Sequence, residues 1–162
     1  MEQHQQDKGL RKAMKTSVSP RLSTNFTFRN KIVNDIPMLK LDKNEKYVLT
    51  NGNFLFSTLR DARLMSNALM DTITDPDCVA EFLDTLAEHE AAVIRSIAGC
   101  GVDGWFLGDD LGTQDSTFIS PATFCALVKP AYKKVAAAAH EAGMSVFMHS
   151  CGHNYGFMED LI

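Results

Sequence analysis

No apolar run in the 162-residue chain approaches the roughly 18 residues that a membrane-spanning helix needs, so no membrane role is expected. The first 25 residues are polar, have no apolar stretch of the secretory kind and carry Glu2 and Asp7, which argues against export. Cysteine is sparse: Cys78, Cys100, Cys125 and Cys151 lie far apart and form no disulfide-scaffold pattern, so a reducing, cytoplasmic setting is expected. The chain also lacks G-x-G-x-x-G, a Walker loop, G-x-S-x-G and C-x-x-C. Those absences remove support from nucleotide-binding, serine-hydrolase and thioredoxin-type readings. No internal repeat or low-complexity tract occurs.

What is present is a charge asymmetry. Residues 1–46 hold ten Lys/Arg against five Asp/Glu, whereas residues 47–162 hold six against fifteen. A basic leader can serve as a nucleic-acid arm. Here its charges are scattered among Gln, Ser and Asn without aromatic or glycine interleaving, and the acidic remainder would repel a phosphate backbone. The expectation is a solvated, partly disordered leader over 1–46, and no nucleic-acid partner.

The organised part begins near Tyr47. Residues 47–50 are β-prone, Asn51, Gly52 and Asn53 break the pattern, and Phe54, Leu55 and Phe56 read as its resumption. Ser57 is a candidate cap for a helix through Leu59, Ala62, Arg63 and Leu64. Asp75 followed by Pro76 opens the clearest helix. Its apolar stripe runs through Val79, Phe82, Leu83, Leu86, Val93, Ile94 and Ile97, and Gly99 and Gly101 end it. A short buried strand spans 104–108. Ser120 and Pro121 repeat the cap-then-proline start of a helix to Glu141, which Pro130 should kink or split. Residues 144–148 form the next strand, and 155–162 look like a helix beginning. Short apolar strands alternating with long amphipathic helices imply an α/β fold with a parallel sheet.

Parallel α/β folds collect functional groups at the carboxyl ends of their strands. Two consecutive strands here end in polar clusters: Asp109 and Asp110 after one, His149, Ser150 and Cys151 after the next. Strand alternation would place His149 and Cys151 on one face, an imidazole and thiolate pair that suits zinc. A third ligand could come from His153, Asp110 or a residue beyond Ile162. The bland alternative is a packed cysteine beside a hydrogen-bonded histidine. Adjacent carboxylates point apart, so one of Asp109 and Asp110 could merely cap a loop or helix. Asp110, which leads into the glycine-containing loop, is the better candidate for binding or proton transfer. Trp105 reads as core, His89 and His140 as structural or solvated, and Cys78, Cys100 and Cys125 as core fillers on helices.

The run Gly108-Asp109-Asp110-Leu111-Gly112-Thr113-Gln114, then Ile119-Ser120-Pro121, Lys129-Pro130 and His149-Ser150-Cys151-Gly152, resembles the uroporphyrinogen decarboxylase superfamily from about Tyr47 onward. That resemblance implies a (β/α)8 TIM barrel with its active site at the carboxyl ends of the strands. Its true decarboxylases act on a tetrapyrrole without cofactor and hold the acetate arms with arginines of an R-Q-A-G-R segment. This chain has no such segment; Arg60 and Arg63 lie in a different context. Its corrinoid-dependent methyltransferases carry His-x-Cys as two zinc ligands, with a third cysteine near the end of the barrel. By that resemblance His149 and Cys151 are metal ligands and zinc activates a substrate thiol for methyl transfer from a corrinoid, carried by a partner protein. Asp109 and Asp110 then act as polar or proton-handling groups, and Gln114, which closes the first motif, is expected to contact substrate. The late cysteine has no counterpart within these residues.

A complete barrel takes about 250 residues. Residues 47–162 supply about three β-α units, so an incomplete barrel domain is expected, whose unpaired edges would leave it unstable, prone to aggregate or completed by association with another copy. Two classes of function follow. One is enzymatic: zinc-dependent methyl transfer or tetrapyrrole decarboxylation. The other is a non-catalytic barrel segment that only binds a partner.

Overall fold

The computed structural model describes residues 46–161. The basic leader lies outside the described residues, apart from Lys46, as does the strand-like alternation at 25–28. Three strands, β1 (Leu49–Asn51), β2 (Gly104–Gly108) and β3 (Ser145–His149), form one parallel sheet in the order β1-β2-β3. Register pairs Leu49 with Gly104 and Gly104 with Ser145, ending with Gly108 opposite His149. The helices between them are α1 (Leu55–Arg63), α2 (Met65–Thr74) and α3 (Pro76–Ser96) before β2. After β2 come a single turn α4 (Pro121–Thr123), a π-helical segment (Phe124–Val128) and α5 (Lys129–Glu141). A 3₁₀ turn (Tyr155–Phe157) and α6 (Met158–Leu161) follow β3. The fold is α/β, with consecutive parallel strands side by side, as in a segment of a (β/α)8 barrel.

The core lies between the sheet and the helices α3 and α5, which pack along one another. Trp105 and Leu107, alternate residues of β2, are buried on that side. Val79, Phe82, Leu83, Leu86, Ala87, Ala91 and Ile94 of α3 are buried, as are Ala131, Val135, Ala138 and Ala139 of α5. The opposite face of the sheet is open, with Leu49 48% and Phe147 42% exposed. Gly104 sits beneath that face where a Cβ would lie 2.6 Å from Leu49 and 3.0 Å from Phe147.

Capping at α3 follows the sequence. The Asp75 carboxylate accepts from Cys78 N–H, Pro76 opens the helix, and Gly99 and Gly101 adopt positive φ after its end. Ser120 caps α4 in the same way, accepting from Thr123 N–H at 3.1 Å. Pro130 does split the long helix, and the device is a π-helical turn. The Lys129 N–H donates to the Phe124 carbonyl five residues back. The wider turn makes room for a ring that would otherwise strike the carbonyl four residues earlier.

Four expectations are corrected. Phe54, Leu55 and Phe56 do not resume a strand: Leu55 and Phe56 begin α1, with Phe54 as its N-cap and no cap from its own side chain. Ser57 therefore lies inside the helix, not at its cap. The helix also ends before Leu64, which takes φ +66 and turns the chain into α2. The ion pair of Arg63 Nε with Asp71 at 2.7 Å ties the two helices together. Nor are the three cysteines core fillers. Cys78 is half-buried, Cys100 lies in the turn after α3 and Cys125 is exposed on the π-helical segment.

Candidate metal and substrate site

The carboxyl ends of β2 and β3 deliver the two polar clusters to one rim. Asp109 N–H donates to the His149 carbonyl at 2.9 Å, extending the ladder one residue past β2. From there the adjacent carboxylates diverge, because successive side chains leave a strand on opposite sides.

Asp109 turns inward and is 2% exposed. Its Oδ2 accepts from Phe56 N–H at 2.7 Å and from the Tyr132 hydroxyl at 2.6 Å; its Oδ1 accepts from Ser57 N–H and Ser57 Oγ, both at 2.7 Å. The carboxylate thus caps α1 from across the sheet. It satisfies the free N–H groups of the first turn and places its negative charge at the positive end of the helix. Burial, and then the charge of Asp109, push the Tyr132 phenol well above its ordinary pKa, so it stays a neutral donor. This cap from a distant residue explains why Phe54 to Phe56 look extended in sequence and yet lead into a helix.

Asp110 turns outward. Its Oδ1 accepts from Cys151 N–H at 2.9 Å and lies 3.9 Å from His149 Nε2. His149 Nε2 and Cys151 Sγ are 3.1 Å apart. One donor atom from each of Asp110, His149 and Cys151 falls within 4.8 Å of the others. Electrostatics tie the three together. The Cys151 N–H, then its thiol, then the charges of Arg60 and His149, hold the Asp110 carboxyl below its usual range. Donation to Asp110 raises the Cys151 thiol above its usual value.

Two glycines bring the loops this close. Gly152 has φ +91, and a Cβ there would lie 2.2 Å from the Gly112 carbonyl oxygen. A Cβ on Gly112 would in turn lie 2.7 Å from the His153 carbonyl oxygen. His153 N–H donates to the Thr113 carbonyl at 2.7 Å, fastening one loop to the other.

The remaining predicted residues separate from the cluster. Gln114 is exposed in the turn between the bridged residues Gly112 and Thr117, outside the group of three donors. His153 sets its ring at a tilt beside Tyr155 and also lies outside that group. Sequence reasoning missed the roles of Ser57 and Tyr132 as partners of Asp109. Only the two glycines were a local signal, and they marked loops rather than partners.

The chain matches the family model of uroporphyrinogen decarboxylase (URO-D) over residues 55–162, more than half of its length. It belongs to that family. The URO-D match includes both strand ends and all three clustered donors. No curated protein matches the chain. Among solved structures, a methyltransferase from Methanosarcina mazei superposes with a TM-score of 0.58 at 18% identity, covering 71% of this chain and 33% of that protein. At that identity the likeness is one of fold, and it makes the URO-D segment described here part of a TIM-barrel architecture. The chain spans about a third of that methyltransferase's length.

The donor set fits a metal. Tetrahedral zinc with bonds of ~2.0–2.3 Å sets its ligand atoms about 3.3–3.8 Å apart. Two of the three separations, 3.1 Å and 3.9 Å, lie just either side of that range, and the third is within 4.8 Å. Thiolate, imidazole and carboxylate are the ligands zinc prefers, and three of them leave a fourth position for substrate.

Proposed function

We propose that this URO-D-family chain carries the metal site of a zinc-dependent methyl transfer between a corrinoid and a thiol. The observation that supports it is the convergence of Asp110, His149 and Cys151 within 4.8 Å on one rim. Asp110 here takes the third ligand position, which the sequence resemblance gives to a later cysteine. A zinc ion bound there would supply Lewis acidity, favouring the ionised form of a substrate thiol.

The chain's own residues do the positioning. Asp110 fixes the Cys151 backbone, and the glycine contacts of Gly112 and Gly152 hold both loops in register. Asp109, locked to α1 and Tyr132, sets the direction in which β2 ends and so aims its neighbour outward. His149 is 57% and Asp110 47% exposed, which leaves the cluster open to a small molecule and to a corrinoid protein docking at the rim.

Metal analysis of purified protein is the direct test. Wild type should retain close to one zinc per chain, and Cys151→Ser and Asp110→Ala should each lose most of it. Equal zinc in wild type and Cys151→Ser would remove the ligand assignment. Methyl transfer from methylcobalamin to a thiol, dependent on added zinc, is the activity expected. Turnover of uroporphyrinogen without metal would instead favour decarboxylation, and inactivity in both assays a binding role.

A further inference from the structure

We infer that Asn154 is a positioning residue of the rim: its side-chain amide clamps the Ser150–Cys151 turn and so holds the Cys151 thiol where it meets His149 and Asp110. The inference rests on the reading of those three residues as a metal cluster and adds what keeps the sulfur ligand in place.

Cys151 belongs to no helix or strand and is exposed, so neither a ladder nor packing fixes its backbone. Side chains do so instead. Its N–H donates to Asp110 Oδ1 at 2.9 Å, from the loop after β2. Its carbonyl and that of Ser150 both accept from Asn154 Nδ2, each at 3.2 Å. The peptide groups on both sides of the Cys151 Cα are thereby held. Asn154 is itself tied to the core. Its carbonyl accepts from Phe157 N–H at 2.9 Å, and Phe157, fully buried, stacks on Phe124 with ring centroids 4.4 Å apart.

The competing role for an asparagine at this place is to cap the 3₁₀ turn that begins at Tyr155. Asn154 does not fill it: its side chain makes no cap bond and reaches back to the carbonyls before it. Its Oδ1 is buried without a partner among the described residues. Folds seldom leave a buried acceptor unpaired. Here the orientation that strands Oδ1 is the one that gives both carbonyls a donor, since only the NH2 end of the amide can donate. Groups one step removed from a metal ligand fix its orientation in this way.

Asn154→Asp keeps the shape and loses both donated bonds, and Asn154→Ala removes them without adding charge. In the metal-free full chain, hydrogen exchange at the Cys151 N–H should quicken about tenfold or more in each variant. With zinc as the added metal, competition with a chelator should show affinity falling about tenfold or more. Cobalt(II) in place of zinc should lose intensity in its thiolate charge-transfer band. A residue that only firmed the turn would lower the melting temperature yet leave zinc affinity and the cobalt band of the folded variants unchanged, and that result overturns the inference. Unchanged exchange at Cys151 in both folded variants overturns it equally, whether or not zinc binds. Faster exchange in a chain that takes up no zinc upholds Asn154 and sinks the metal reading, and zinc held equally by wild type and both variants does the reverse. If neither variant folds, wild type decides. The Asn154 Nδ2 protons should exchange at least about tenfold more slowly than those of the exposed Gln114 amide, and equal rates overturn the inference.

Discussion

Asp109 and Asp110 are neighbours in the chain and belong to different regions of the molecule. Beneath the rim, Asp109 is buried among four donors and joins β2, α1 and α5. On the rim, Asp110 is nearly half exposed and meets an imidazole and a thiol. One is fully used by the fold, and the other has lone pairs to spare for a ligand. The strand's period of two separates them, and burial then decides what each carboxylate does.

Substitutions should expose that division. The largest loss of stability belongs to Asp109→Ala, which strands the N–H groups of α1 and the Tyr132 hydroxyl in a dry setting. About 3 kcal/mol or more is expected in urea unfolding, since each buried unpaired group costs about 1–3 kcal/mol. A loss under about 0.5 kcal/mol would break the contrast. Next comes Gly152→Ala, which meets both a positive φ and a backbone oxygen. About 1–3 kcal/mol should go, and zinc retention with it, because the loops must part.

Tyr132→Phe should follow at about 1–2 kcal/mol from the lost bond to Asp109. It also carries a pH signature. Because the folded phenol titrates well above its ordinary value, the folded state keeps a proton that the unfolded chain gives up. Tyr132's contribution is therefore complete below about pH 10 and lost as pH rises beyond it. Alkaline unfolding curves should be flatter in this region for Tyr132→Phe than for wild type. The smallest effect on folding belongs to Asp110→Asn, within about 0.5 kcal/mol. That same substitution should lower zinc affinity at least about tenfold, measured by competition with a chelator. A large stability change with unaltered zinc binding would reverse the roles given to the two aspartates.

Much of this was legible in the chain. Asp75-Pro76 and Ser120-Pro121 start helices by short-range chemistry, and the apolar stripe of α3 reports burial through its period alone. The polar ends of β2 and β3 could be placed on one rim because parallel neighbours present the same end. The start of α1 was not legible, since its cap comes from Asp109, more than fifty residues away.

The sequence by itself determined the α/β class, the strand and helix periods and the presence of carboxylates, imidazole and thiol at two strand ends. All of these depend on residues within a few positions of one another. Tertiary structure alone decided which aspartate faces inward, that Gly152 rests on Gly112, and that three donors meet within 4.8 Å. Those outcomes depend on sheet register and on the close approach of separate loops, which local preference does not encode.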